Sequence, residues 1–157
     1  MKKIVLIAGA VVAVLIVMFV MQSQGVVAPI SGGKVLYLSN QGLNKIPSYV
    51  FNQTSLEELN VSNNNLSGSI QSQIGNLVNL KILNASNNLM TGVPAEVGQL
   101  QKLEVLNLSN NKLTGLPNEL GNLKNLKTLN ISGNQYSQQD ISYIISKLPI
   151  TVNIIVK

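Results

Sequence analysis

Apolar residues recur along this chain at a nearly constant interval. One stretch reads Leu56-x-x-Leu59-x-Val61-x-x-Asn64-x-Leu66. The next reads Leu80-x-x-Leu83-x-Ala85-x-x-Asn88-x-Met90, and the third Leu103-x-x-Leu106-x-Leu108-x-x-Asn111-x-Leu113. The last is Leu126-x-x-Leu129-x-Ile131-x-x-Asn134-x-Tyr136. Their first residues lie 24, 23 and 23 positions apart. A period of this size marks stacked units, each too small to bury its own apolar face. Within each unit the fourth and sixth positions are apolar with a polar residue between them. That alternation predicts a short strand buried on one side. Stacked units pair such strands into a parallel sheet. A degenerate first unit, starting at Gly33, adds Leu36-Tyr37-Leu38 and Leu43, with Gln41 where the others have Asn.

The second half of each unit repeats as well. Ile46-Pro47-x-x-Val50-Phe51, Val93-Pro94-x-x-Val97-Gly98 and Leu116-Pro117-x-x-Leu120-Gly121 align, and Leu100 or Leu123 follows. Proline presets an extended or first-turn geometry, and the apolar spacing after it predicts one helical or 3₁₀ turn. The second unit differs. It reads Leu66-Ser67-Gly68-Ser69-Ile70-Gln71-x-x-Ile74-Gly75 and holds the one extra residue.

The recurring asparagine has a structural task. Where the chain turns inward after the strand, backbone groups lose water, and an amide offers both donors and acceptors to replace it. Asn64, Asn88, Asn111 and Asn134 are therefore expected to stack as a ladder, not to hold a ligand. Loss of an interior member should cost about 1–3 kcal/mol.

These motifs resemble the leucine-rich repeat over residues 33–157. Most units resemble the 23-residue bacterial and animal type; the second resembles the plant type, with Gln71 where that type has proline. The resemblance implies an α/β solenoid with a short parallel β-sheet on the concave side and short helical turns on the convex side. It also implies a C-terminal cap, at residues 138–157, like that of bacterial members. There Asp140 reads as the N-cap of a helix whose apolar stripe is Ile141, Ile144, Ile145 and Leu148. Pro149 ends it, and Val152-x-Ile154-x-Val156 reads as a last strand. The N-terminal cover is expected from Val26 to Leu38 or from the membrane side. The family's usual work is contact with other proteins through the concave face, so the expected partner is an unknown protein or peptide.

The N-terminus carries a separate signal. Met1-Lys2-Lys3 precedes eighteen residues, Ile4 to Met21, without a polar side chain. At ~1.5 Å per residue a helix of that length covers roughly 27 Å, near the ~30 Å apolar thickness of a bilayer. The expectation is a cytoplasmic stub at 1–3, a transmembrane signal anchor at 4–21 and a linker at 22–32, broken by Pro29. The repeat domain would then lie outside the cytoplasmic membrane, since the two lysines stay inside. The alternative is a cleaved secretory signal, with Ser23-Gln24-Gly25 as the nearest small-x-small site.

Composition narrows the chemistry. There is no Cys, His, Trp or Arg, so thiolate and imidazole metal sites and nucleophile–base pairs are missing. Glu57 and Glu58 are neighbours on a strand and splay apart. Ser31-Gly32-Gly33-Lys34 resembles only the end of a phosphate loop. From Lys34 onward nine lysines face six acids with no basic cluster, which argues against nucleic acid. No enzyme, metal or cofactor is expected.

The outward positions of the strands form columns. The fifth carries Tyr37, Asn60, Asn84, Asn107 and Asn130; the third carries Glu58, Ile82, Val105 and Thr128. These are the candidate partner-binding residues. The seventh carries Ser39, Ser62, Ser86, Ser109 and Ser132, and the second Glu57, Lys81, Glu104 and Lys127. The Asn and Ser columns allow three outcomes: a peptide contact, a glycan or cell-wall contact, or a polar sheet that satisfies itself.

Overall fold

The computed structural model describes residues 34–156. The expected stub, anchor, cleavage site and linker lie outside the described residues, as do Val26 to Gly33 of the expected N-terminal cover. No helix among the described residues is long and apolar enough to cross a membrane.

Six short strands form one parallel sheet: β1 (Val35–Tyr37), β2 (Glu58–Asn60), β4 (Ile82–Asn84), β6 (Val105–Asn107), β7 (Thr128–Asn130) and β8 (Asn153–Ile155). They pair in chain order, and each repeat stays in phase with the next: Leu59 sits opposite Leu83, Leu83 opposite Leu106, and Leu106 opposite Leu129. In-phase pairing follows from the period, because a slip by one residue would turn the buried leucines to solvent. Two further strands, β3 (Ser67–Ser69) in the second unit, which resembles the plant type, and β5 (Leu89–Gly92) in the third, make a small second parallel sheet.

Opposite the main sheet, each unit closes with a 3₁₀ turn: Ser48–Asn52, Ser72–Asn76, Ala95–Gln99 and Asn118–Asn122. Pro47, Pro94 and Pro117 each stand just before the turn in extended geometry. Gln71 adopts the same backbone without the ring (φ −65°). Its Nε2 donates instead to the Ile46 carbonyl of the preceding unit at 2.7 Å, so a side-chain bond does the fixing there. One continuous core runs through the stack from Leu38 and Ile46 to Ile144 and Leu148.

Glycines let the turns stack closely. A Cβ on Gly98 would overlap the backbone carbonyl group of Glu119 in the next turn. One on Gly121 would come 2.6 Å from Lys147 Cβ in the cap helix. Gly75 is less tight, with Glu96 Cβ 3.2 Å from the position a Cβ would take.

The C-terminal cap is present, with corrected details. The helix, α1, is Gln138–Lys147, and Ser137 is its N-cap: the Ser137 hydroxyl accepts from the Asp140 amide at 3.1 Å. Asp140 sits in the first turn, where its charge faces the positive end of the helix dipole. Ile141, Ile144 and Leu148 are buried, but Ile145 is 43% exposed. The buried stripe is narrower than the sequence pattern because only one side of the helix meets the last repeat. Leu148 takes extended geometry before Pro149, as the proline ring demands. The final strand begins one residue later than expected, and Val156 lies beyond it, exposed.

Candidate binding face

The main sheet has a closed side and an open side. Leu59, Leu83, Leu106 and Leu129 point into the core, so the residues flanking them point out. Along β2, β4, β6 and β7 the outward residues are half-buried: Glu58 and Asn60, Ile82 and Asn84, Val105 and Asn107, Thr128 and Asn130. The structure thus places all eight on one face, in two columns whose successive members are one strand apart. Tyr37 joins them opposite Asn60 on β1 and is 55% exposed. Hydrogen bonding to the Glu58 carboxylate, and then its charge, raises the Tyr37 hydroxyl above the ordinary phenol range.

The serine column is not part of that surface. Ser62, Ser86 and Ser109 are buried, and Ser132 is half-buried. Each serine folds back on the asparagine two residues earlier. The Ser62 amide and hydroxyl both donate to Asn60 Oδ1, at 3.0 and 2.7 Å. The same double bond joins Ser86 to Asn84, Ser109 to Asn107 and Ser132 to Asn130, with hydroxyl distances of 2.8 Å. A polar sheet satisfying itself was one expected outcome. The structure has it inside each unit, from i to i+2, not along the sheet between units. This is an Asx turn, open to short amide side chains whose oxygen reaches their own backbone.

The structural ladder is separate and points inward. Asn88 Nδ2 donates to the carbonyls of Val61, Ala85 and Ser86, and its Oδ1 accepts from the Leu66 amide at 3.0 Å. Asn111 bonds the carbonyls of Ala85, Leu108 and Ser109 and the Met90 amide. Asn134 bonds Leu108, Ile131 and Ser132 and the Leu113 amide. Asn64 serves the degenerate first unit, accepting from the amides of Gln41 and Leu43, both at 3.0 Å. Each asparagine ties its own turn to the preceding one.

Two arrangements escaped sequence reasoning. The first is at the eighth position, where Asn40, Asn63, Asn87 and Asn110 take left-handed backbone (φ 54–60°). Asparagine tolerates that region better than most residues. In the fourth complete unit the place passes to Gly133, where a Cβ would overlap the Asn110 amide oxygen. The replacement of a repeated Asn by Gly was the available signal. The second is a charge zipper. Glu57 binds Lys34 at 2.6 Å and Lys81 at 2.7 Å, and Glu104 binds Lys127 at 2.6 Å. Hydrogen bonds from Lys34 and Lys81 hold the Glu57 carboxyl down to about 2. Alternation of sign from unit to unit was legible, but its partners depended on the register. Both glutamates on this edge of the sheet are paired, and three lysines against two glutamates leave it one positive charge.

Among the described residues no group of three or more acids or other ligand types could hold a metal.

A model of the leucine-rich repeat region matches residues 59–148, more than half the chain. The chain belongs to the leucine-rich-repeat family. Proteins with this repeat are typically binding modules, not enzymes. It is similar to a leucine-rich-repeat protein of Leptospira interrogans, with 32% identity and a TM-score of 0.57 over 70% of this chain and 33% of that one. It is similar to the ectodomain of the Arabidopsis receptor kinase SOBIR1, with 28% identity and a TM-score of 0.62 over 77% of this chain and 67% of that one. A third similar structure is the ectodomain of the Arabidopsis membrane receptor kinase GASSHO1/SCHENGEN3, solved in complex with CASPARIAN STRIP INTEGRITY FACTOR 2. Identity there is 32% and the TM-score 0.60, over 71% of this chain and 14% of that one. This chain therefore spans a third of the Leptospira protein and a smaller part of the GASSHO1 ectodomain. No curated protein matches it.

Proposed function

We propose that this protein is a non-enzymatic interaction module that holds a protein or peptide partner on the open, concave face of its main sheet. The observation that carries the reading is the pair of outward columns. Ile82 and Val105 sit side by side at the middle of the face, flanked by Glu58 and Thr128 and lined by the Asn60–Asn130 column. A central apolar pair with a polar surround is the common layout of a contact surface. The similar ectodomain bound to CASPARIAN STRIP INTEGRITY FACTOR 2 supports the same class of partner. Six strands at ~4.8 Å span roughly 24 Å, a footprint for a peptide or a loop rather than a large interface.

The module is displayed outside the cytoplasmic membrane on the anchor at residues 4–21. The support is the eighteen-residue apolar run behind two lysines. Secretion after cleavage near Gly25 is the alternative.

A cell-wall or glycan partner is the second reading, favoured by the exposed Tyr37, since sugars stack on aromatic rings. It is the weaker one, because the asparagine oxygens are already occupied by serine. The deciding experiment is cross-linking at the cell surface with wild type and an Ile82→Lys/Val105→Lys variant. The variant should give a several-fold lower yield of the cross-linked partner. An equal yield removes the concave-face assignment, and retention by purified wall polymer alone supports the glycan reading.

A further inference from the structure

The main sheet stops at β8, whose far edge pairs with no strand among the described residues. The Asn153 amide donates to the Lys127 carbonyl and the Ile155 carbonyl accepts from the Ile131 amide, both at 2.9 Å, so these two residues face β7. Backbone direction alternates along a strand, which turns the N–H and C=O of Ile154 to the open side. Val152 and Val156 share that side, but each has one group already used. The Val152 amide donates to the Pro149 carbonyl at 3.1 Å, and the Val156 carbonyl accepts from the Tyr136 hydroxyl at 3.2 Å. Among the described residues, four groups remain without a partner: the Ile154 amide and carbonyl, the Val152 carbonyl and the Val156 amide. Proteins usually blunt such an edge with a charge, a proline or a bulge. Residues 150–156 hold no charge and no proline, and the pairing with β7 has no bulge. Ile150, Ile155 and Val156 are exposed there.

We infer that β8 pairs antiparallel with β8 of a second copy of this chain, about a two-fold axis through Ile154. The pattern of used and unused groups selects both partner and register. With Ile154 opposite the partner's Ile154, the two residues exchange both hydrogen bonds. Val152 then faces the partner's Val156, and its free carbonyl accepts from the free amide. The groups left over are those that each chain already satisfies within itself. Four bonds form and no donor or acceptor is stranded. Moving the axis to Asn153 or Ile155 would set Ile154 against a spent group and leave it unpaired. No charge opposes the contact, since Lys127, one strand in, is held by Glu104. The edge at β1 is a poorer seat. Thirty-three residues precede Lys34 there, and head-to-tail copies would form an open chain. The two-fold axis stands perpendicular to the sheet, so both open faces lie on one side. Two sheets of six strands at ~4.8 Å then span roughly 53 Å. One short strand from each copy buries well under the ~1,200 Å² of a standard interface, so the dimer is weak and concentration-dependent.

The test uses the full-length protein in detergent micelles. The chain has no Cys, so introduced thiols report only on their own positions. In the proposed register Asn153 faces the partner's Ile155 with Cα atoms about 4.5 Å apart, within disulfide reach. An oxidised mixture of Asn153→Cys and Ile155→Cys chains should give a mixed disulfide dimer, several-fold more than either variant alone. Ile155→Lys puts a charge on the edge. It should melt as the wild type does and dimerise about tenfold more weakly in sedimentation equilibrium. Equal yields from mixed and single variants overturn the inference, as does a wild type that stays monomeric at every concentration. Association that Ile155→Lys leaves unchanged overturns it too, because a contact through residues 4–21 would not feel that change. A disulfide between Asn153→Cys and Val35→Cys chains in place of the mixed dimer overturns it in favour of head-to-tail stacking.

Discussion

In the strand half of each unit asparagine does three jobs, and only position in the repeat tells them apart. At the ninth position it is buried and joins consecutive turns; at the eighth it takes left-handed backbone; at the fifth it closes a turn on the sheet's open face. Each job predicts a different response. Asn111→Ala leaves the Met90 amide without its acceptor and takes one of two donors from each of the Ala85, Leu108 and Ser109 carbonyls, and should lower stability by about 1–3 kcal/mol in urea unfolding. Glu57 supplies a pH signature. Its folded pKa of about 2 lies below the ordinary 4.5, because Lys34 and Lys81 bond the charged form. The unfolded chain thus binds the proton first. The stabilisation is complete above about pH 4.5 and fades as pH falls toward about 2. Between those limits wild type and Glu57→Gln should converge in stability, and added salt should shrink the difference at neutral pH. The eighth-position asparagines were legible as letters but not as conformations, since a positive φ leaves no periodic mark beyond the tolerance for glycine at Gly133.

Strands, turns and cap were largely legible as elements. Period-two alternation marks a strand whatever its neighbours, and a proline followed by apolar residues marks a turn. The errors fall at boundaries. Asp140 resembles an N-cap in sequence, yet Ser137 has the capping role three residues earlier. Both residue types cap well, and only the direction from which the chain enters the helix chooses between them. Ile145 and Val156 were counted as buried by periodicity and are exposed, Ile145 because only one side of the helix meets the last repeat and Val156 because it lies beyond the final strand. Glycine in the 3₁₀ turns carries the contact between elements. Gly98→Ala forces the Ala95–Gln99 turn away from the Glu119 carbonyl group and should cost about 1–3 kcal/mol. Gly75→Ala meets only side-chain atoms and should cost clearly less in the same denaturation series.

At the scale of the whole molecule, function depends on where the repeat domain is displayed. If the proposed anchor is retained, the intact mass will include residues 1–25 and the protein will stay with membranes at high pH. A mass lacking those residues, with a soluble protein, would instead indicate secretion. Repeat number, in-phase pairing and one continuous core were determined by the sequence itself, because a fixed apolar period admits one way of burying every unit. The sequence also dictated the chemistry that is missing, for without Cys and His no arrangement of the chain can supply them. What only the tertiary structure decided is the character of the open face. Asparagine and serine columns could have bonded along the sheet, faced a ligand, or folded on themselves, and all three use the same residues. The turn after each strand brings the serine amide and hydroxyl onto one oxygen of its own asparagine. That local geometry withdraws the serine from the open face and fixes the asparagine amide.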